Sequence, residues 1–204
     1  CNIVEDANCF YVRADSPLRT PTDVAEAARA RPNHVTYGTT GIGSDDHLTM
    51  LAFEGATDTR FTHVPFTGMT QLFPQLLAGS IALGAMNVSE ALPLVREGKL
   101  RGLGQAGTQR WAQMPDVPTY REQGINVTGT ASRGFAAPGN LPPAIRERLE
   151  AAFRAVLSDP AFVQEAERLG MPLLPVVGAE YRAMVLRTEA EYRALWQRRP
   201  WRDQ

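Results

Sequence analysis

The residues best suited to chemistry stand in the stretch from His34 to Leu48, HVTYGTTGIGSDDHL. A short β-type run ends at Gly38, a loop with two further glycines follows, and Ser44 opens a segment with apolar residues at helical spacing. Glycine permits positive φ, and the first N–H groups of a helix have no partner within it. The stretch therefore predicts a strand, a glycine loop and a helix start that favours an anion. It also fits an ordinary strand-to-helix turn, because it matches neither a dinucleotide fingerprint nor a P-loop.

Short strands and helices alternate along the chain and predict an α/β fold. Strands are expected at Asn8–Arg13, 34–37, 60–65, 81–86 and 100–105, with a helix between each pair of neighbours. This order predicts a parallel sheet with helices on both faces. The chain beyond residue 125 is helix-rich, with one long extended run and one further strand.

Three of the strand-to-helix turns carry residues that could meet a ligand. Thr39 and Thr40 follow one strand, Phe66 and Thr67 follow the next, and Asn87 follows the third. Ligands of open α/β sheets bind beyond the carboxyl ends of the strands. If these strands are neighbours, the three turns converge on one edge of the sheet, which is called the mouth below.

Composition and charge exclude several classes of protein. The chain has 204 residues and a net charge of −1, which allows one large domain or two lobes but provides no basic field for nucleic acid. The group Arg198, Arg199 and Arg202 is interpreted as a solvated face or a fraying helix end. No apolar run approaches the length of a membrane span. Cys1 and Cys9 match no metal motif; they could form a disulfide, or Cys9 could be a small buried side chain.

Six blocks of the sequence, taken together and in order, are similar to one family of proteins. They are VTYGTTGIGSDDHL (35–48), HVPFTG (63–68), LLAGSIALGAMN (76–87), ALPLVREGKLRGLG (91–104), MPDVPTYREQG (114–124) and GFAAPGNLP (134–142). The combination resembles the Bug family, the extracytoplasmic solute receptors of tripartite tricarboxylate transporters. The match runs from about Asn8 to the C-terminal helix, with similar gaps.

The resemblance implies a periplasmic binding protein-like fold of the type II kind. In that fold two α/β lobes, joined by crossover strands, close on a ligand like a Venus flytrap. Residues 1–13 are then expected to form a strand and crossover from the first lobe, 14–125 one complete doubly wound lobe, and 126–204 a crossover and the helix-rich remainder of the first lobe. The family's N-terminal part of the first lobe, which supplies half of the ligand contacts, is expected to have no counterpart in this sequence.

The resemblance also implies a function. The family captures a small carboxylate or an amino acid in the periplasm, without catalysis and without a cofactor or metal. The partners implied are the solute and membrane transporter subunits, not nucleic acid. A secreted location is implied, with a signal peptide that lies outside this sequence.

The ligand contacts implied by the resemblance cluster in the three turns. The hydroxyls of Thr39 and Thr40 are expected to donate to a ligand carboxylate beside the amides of residues 42–44. Ser44 is interpreted first as the helix N-cap, and His47 and His63 as structural side chains. The predicted ligand-binding residues are Thr39, Thr40, Gly41, Ile42, Gly43, Ser44, Phe66, Thr67, Gly68, Asn87 and Arg133.

Two carboxylates depart from the family pattern at the helix start. The family usually has small or neutral residues where this sequence has Asp45 and Asp46. Carboxylates in a first helical turn interact favourably with the helix dipole and oppose an anionic ligand. They either stabilise the helix alone or select a ligand that carries an amine.

Two further departures concern cations in the cleft. The common Tyr-Lys-Gly of the family is Phe66-Thr67-Gly68 here, so a cation is lost. An aromatic pair of the family is replaced by Ser132-Arg133. Arg133 either faces the cleft, where it replaces the missing cation, or faces outward as a surface residue.

Three alternative functions use the same features differently. A ligand sensor for a signalling partner could use the same cleft. A hydrolase could use a Ser or Thr with His47, although the sequence has no GxSxG elbow. A fragment with an incomplete lobe could instead oligomerise, for example as a homodimer, through exposed apolar surface.

Overall fold

The computed structural model of the chain describes residues 1–201. It contains seven strands and seven helices within this range. The strands are β1 (Asn2–Arg13), β2 (Thr36–Thr39), β3 (Thr62–Pro65), β4 (Leu83–Asn87), β5 (Leu100–Gln105), β6 (Thr130–Gly134) and β7 (Leu173–Val176). The helices are α1 (Pro21–Ala30), α2 (Asp45–Thr57), α3 (Met69–Ala78), α4 (Val88–Arg96), α5 (Pro143–Leu157), α6 (Pro160–Arg168) and α7 (Ala179–Arg198).

The chain divides into two compact units. One unit, called the sheet unit below, contains Ala7–Thr130 and the chain from Arg199 onward. The other, called the helical unit, contains Cys1–Asp6 and Ala131–Arg198. The long strand β1 contributes residues to both units, and the predicted strand Asn8–Arg13 is its second part.

The sheet unit is built on five strands in the order β3-β2-β4-β1-β5. Strand β2 pairs in parallel with β3 and with β4, as the alternation of strands and helices predicted. The prediction of a wholly parallel sheet is wrong for β1, which is antiparallel to both β4 and β5. Apolar periodicity reports how deeply a strand is buried but carries no information about its direction, so β1 could not be distinguished from its neighbours.

Both faces of the sheet are covered, which explains why consecutive residues of β1 are buried. Phe10 and Val12 belong to one core cluster, whereas Cys9 and Tyr11 belong to another. Alternate side chains of a strand point to opposite faces, so the two clusters lie on opposite sides of the sheet. Cys9 is a free, fully buried thiol, which agrees with the buried reading of this residue and not with the disulfide.

Strands β6 and β7 of the helical unit both pair with β1. The register joins Asn2 to Val176 and Val4 to Leu173 in an antiparallel ladder. The predicted extended run at residues 126–137 is a strand only from Thr130 to Gly134. Within the described residues no helix is both long and apolar enough to cross a bilayer.

Candidate functional site

The register of the parallel strands brings three turns to one edge of the sheet. Thr39 is opposite Pro65 in the β2–β3 pair, and Gly38 is opposite Gly84 in the β2–β4 pair. The amide of Phe66 donates to the carbonyl of Thr39 at 3.0 Å. The turns after β2, β3 and β4 therefore open at the same carboxyl edge. The predicted convergence of these turns is confirmed.

The glycine loop between β2 and α2 has the backbone conformation that its sequence requires. Gly41 has φ 138° and Gly43 has φ 79°, values that favour glycine. Ser44 is the N-cap of α2, as predicted, and its hydroxyl accepts from the His47 amide at 3.2 Å. A Cβ atom on Gly43 would lie 3.2 Å from the indole nitrogen of Trp201, so this glycine also permits a close approach by the C-terminal chain.

The loop amides are mostly occupied by groups of the protein itself. The amide of Gly41 donates to Thr39 Oγ1 at 3.2 Å, and the amide of Gly43 donates to His47 Nδ1 at 3.0 Å. The amide of Ser44 donates to the Gly41 carbonyl at 3.3 Å. The expectation of unpaired amides is therefore wrong for Gly43 and Ser44. The imidazole of His47, four residues along the chain, folds back over the loop and takes a donor that a ligand would otherwise receive.

The two threonine hydroxyls also bond within the protein. Thr39 is fully buried, and its Oγ1 lies 3.1 Å from the Gly41 carbonyl and 2.6 Å from His63 Nε2. The expected donation from Thr39 to a ligand carboxylate is thus not the geometry observed. Thr40 is partly exposed, and its hydroxyl lies 2.8 Å from Oδ2 of Asp46. Of the two hydroxyls, only that of Thr40 is at the surface of the mouth.

The histidines are structural, as the sequence indicated. The rings of His47 and His63 stack with centroids 4.2 Å apart, and His63 also stacks on Tyr37 at 4.8 Å. Burial lowers the pKa of each imidazole to about 4, so both rings are neutral at neutral pH. The described residues contain no group of three His, Cys, Asp or Glu side chains that could hold a metal ion.

The Asp45–Asp46 pair is held by two asparagine amides. Nδ2 of Asn87 donates to Asp45 Oδ2 at 2.7 Å, and Nδ2 of Asn8 donates to Asp46 Oδ1 at 2.7 Å. Asp46 is 1% exposed, and its burial together with the neighbouring charge of Asp45 raises its pKa to about 8. Sequence reasoning found Asn87 but missed Asn8, because only the antiparallel register of β1 puts these two asparagines side by side.

Several predicted site residues remain accessible at the mouth. Ile42 is 38% exposed, and its amide has no hydrogen-bond partner in the described part of the chain. Thr67 is exposed, whereas Phe66 and Gly68 are partly buried. Gly68 is the N-cap of α3 and makes no side-chain cap. Asn87 is buried and caps α4. The donors that face outward are therefore few.

Arg133 lies in the helical unit and is paired with a carboxylate there. Its Nη1 is 2.8 Å from Oδ2 of Asp6, whose side chain is fully buried, while the Arg133 side chain is 48% exposed. A cation stabilises a buried carboxylate, so Arg133 has a structural role in the helical unit as the partner of Asp6.

The last described residues return to the sheet unit. Arg199 pairs with the 4% exposed Glu54 at 2.5 Å and donates to the Leu51 carbonyl at 3.3 Å. The interpretation of Arg198, Arg199 and Arg202 as solvated is wrong for Arg199, because a buried glutamate on α2 requires a cation. Arg202 lies outside the described residues. Arg199 and Glu54 are far apart in the sequence, so no local sequence pattern could predict their ion pair.

An α/β sheet with three βα turns at one edge agrees with the ligand-binding lobe of a solute receptor. The chain belongs to the tripartite tricarboxylate transporter receptor family, TctC, whose model matches residues 1–197. The resemblance seen in the sequence is thereby confirmed. The family and its structural neighbours are solute-binding receptors, not enzymes.

Relatives and solved structures agree with this assignment. A protein encoded in the gbd 5′ region of Cupriavidus necator is 30% identical over 186 residues, which is 91% of this chain and 57% of that protein. A TctC solute-binding protein from Polaromonas is 28% identical with a TM-score of 0.85 over 97% of this chain and 68% of that one. MatC from Rhodopseudomonas palustris with bound malate is 25% identical with a TM-score of 0.69 over 83% of this chain and 58% of that one. The predicted periplasmic binding protein-like α/β fold is confirmed, and the chain spans just over half the length of the first relative.

Proposed function

We propose that this chain is the ligand-binding part of an extracytoplasmic receptor that captures a small carboxylate for a tripartite tricarboxylate-type transporter. The observation that carries the proposal is the meeting of three βα turns at one sheet edge, in a chain that belongs to a receptor family. Ligands of open α/β sheets bind at such edges. The malate bound by MatC supports a small dicarboxylate as the class of ligand.

The proposed contacts come from the accessible part of the predicted set. The accessible donors at this edge are the amide of Ile42, which lies in the glycine loop two residues before the N-cap of α2, and the hydroxyls of Thr40 and Thr67. The N-terminus of a helix carries partial positive charge, so a free amide just ahead of it suits a carboxylate. Phe66 and Gly68 would line the wall beside them, and Asn87 would hold Asp45 in place.

Malate and aspartate form a matched pair of test ligands, because they differ only in a hydroxyl and an ammonium group. We expect isothermal calorimetry to show binding of malate. Weaker binding of aspartate would agree with Asp45 and Asp46 being satisfied by asparagine amides. Tighter binding of aspartate would mean that these carboxylates select an amine. Absence of binding for both ligands would contradict the proposed function.

Thr40→Val tests whether binding takes place at this edge. The change removes one hydroxyl donor but keeps the shape of the side chain. We expect affinity for malate to fall by about tenfold, the effect of losing one hydrogen bond to a charged group. The matched control is Thr70→Val on the exposed side of α3, which should leave affinity unchanged.

A further inference from the structure

The carboxyl group of Asp46 lies among three donor groups. Its Oδ1 accepts from Asn8 Nδ2 at 2.7 Å, while its Oδ2 lies 2.8 Å from Thr40 Oγ1 and accepts from the Thr40 amide at 3.4 Å. Among the described residues no Lys, Arg or His is within ion-pair distance of Asp46. A buried carboxylate without a cation is costly, so the neutral acid is the favoured form.

The asparagine that donates to Asp46 also carries an unsatisfied acceptor. Asn8 is fully buried, and its Oδ1 has no hydrogen-bond partner in the described part of the chain. Burial raises the pKa of Asp46 to about 8, and the charges of Asp45 and Glu90 act in the same direction. A negative charge on Asp46 would therefore be opposed both by desolvation and by repulsion from these neighbours.

The lengths of the hydrogen bonds indicate which oxygen of Asp46 carries the proton. Oδ1 accepts the short bond from Asn8 at 2.7 Å and acts as the carbonyl oxygen, whereas Oδ2 receives only a long bond from the Thr40 amide at 3.4 Å. We therefore assign the proton to Oδ2, which faces the Thr40 hydroxyl at 2.8 Å. A threonine hydroxyl has one proton. When Asp46 is ionised, that proton is donated to Oδ2. When Asp46 is neutral, Oδ2 donates to Oγ1, and the Thr40 proton is released toward the mouth.

We propose that Asp46 carries a proton on Oδ2 in the ligand-binding form, and that this proton turns the Thr40 hydroxyl into a donor for the ligand carboxylate. The inference rests on the proposed function and makes Asp46 a positioning residue that acts through Thr40. Loss of the proton withdraws the Thr40 donor and adds a charge beside Asp45. Carboxylate affinity therefore falls as the pH rises.

Charged and titratable groups face Asp46 from several elements. Helix α2 contributes Asp45 and His47, α4 contributes Glu90, and β3 contributes His63 behind His47. Both imidazoles have a pKa of about 4 and are neutral above it. The neighbours from β1, β2 and β4 are asparagines and threonines, which do not titrate.

The test is a malate titration by calorimetry from about pH 6 to about pH 10, a range in which malate itself keeps its charge. We expect the affinity of the wild-type chain to fall up to tenfold per pH unit above the Asp46 transition, as one linked proton requires. Asp46→Asn should bind without this fall, because the amide of the new side chain donates permanently to Thr40. Asp58→Asn is the matched control at the other end of α2, where φ 49° suits asparagine; it should follow the wild type.

Several outcomes separate this inference from the proposed function. An equal fall in affinity for the wild type and Asp46→Asn would overturn the inference while the receptor function stands. Thr40→Val should be weaker than the wild type at about pH 6 and equal to it at about pH 10; a constant difference would also overturn it. Absence of malate binding at every pH would overturn the proposed function. The Cys1 amino group, whose pKa is lowered from 8.0, is common to all variants and cancels in these comparisons.

A stability measurement tests the proton without any ligand. The folded-state pKa of Asp46 is raised from 3.8 to about 8, so its contribution to stability is full below about pH 4 and is lost as the pH rises toward 8. Urea unfolding should therefore show the free energy of the wild type falling over this range relative to Asp46→Asn. Parallel curves for the two proteins would refute the assignment of the proton to Asp46.

Discussion

The neutral imidazoles of His47 and His63 pack against the glycine loop. These two residues therefore influence the stability of the protein at acidic pH. Their folded-state pKa of about 4 lies below the ordinary value of 6.5. The unfolded chain therefore binds protons that the folded rings exclude, so the contribution of these two rings to stability falls as the pH drops from about 6.5 to about 4, opposite in sign to that of Asp46. His47→Gln keeps an acceptor for the Gly43 amide and should make this acid limb shallower in urea unfolding. The exposed His34→Gln should leave its slope unchanged.

Gly43 is a position where a single methyl group should be harmful. Its φ of 79° costs an L-residue about 1–2 kcal/mol, and the new Cβ would press on Trp201. We expect Gly43→Ala to lower the free energy of unfolding by at least that amount. Gly55→Ala is the matched control: it lies inside α2 with open space around it and should stabilise by about 0.5–1 kcal/mol. Equal stability of Gly43→Ala and the wild type would contradict the described loop.

At the scale of elements, the ion pair between Arg199 and Glu54 fastens the C-terminal chain to α2. Arg199→Gln leaves a buried carboxylate without its cation, and we expect a loss of about 1–3 kcal/mol in urea unfolding, reduced from the full cost because Arg199 is 27% exposed. Adding Glu54→Gln should recover part of this loss. The exposed pair of Arg193 with Glu189 provides the control, since Arg193→Gln should change stability by less than about 0.5 kcal/mol.

The elements that the sequence could predict are those whose signals are local. Ser44 and the glycines after β2 mark a helix start and a turn through their own hydrogen bonds and backbone angles, and the structure agrees. The direction of β1 depends instead on pairing with residues about 80 positions away. Local patterning cannot carry that information, so the sheet was predicted as wholly parallel.

The candidate site shows the same division between local and distant information. The three turns could be placed together, because consecutive βα units put their carboxyl ends at one edge. The occupancy of the loop donors by His47 and Asp46 could not be foreseen. Whether a side chain points outward or folds back on its own loop is decided by packing against Asn8 and His63, which come from other strands.

For the whole molecule, exposed apolar surface is concentrated in the helical unit. Of the nine large hydrophobic side chains that are exposed in the described residues, eight belong to this unit, among them Leu149 and Val185. Large exposed apolar areas promote association. We expect light scattering to show a mass that rises with concentration, and Leu149→Gln with Val185→Gln to reduce this rise. The control replaces the neighbouring exposed Arg148 and Arg187 by glutamine; an equal effect of both double changes would refute the apolar origin.

The edge formed by the turns after β2, β3 and β4 is proposed to receive a small carboxylate. An amide NMR titration of the chain with malate can test this at each residue at once. We expect saturable shifts at Thr40, Ile42, Thr67 and Asn87, with no change around Arg101 at the opposite end of the sheet unit's strands. Shifts confined to other residues, or no shifts at saturating malate, would contradict it.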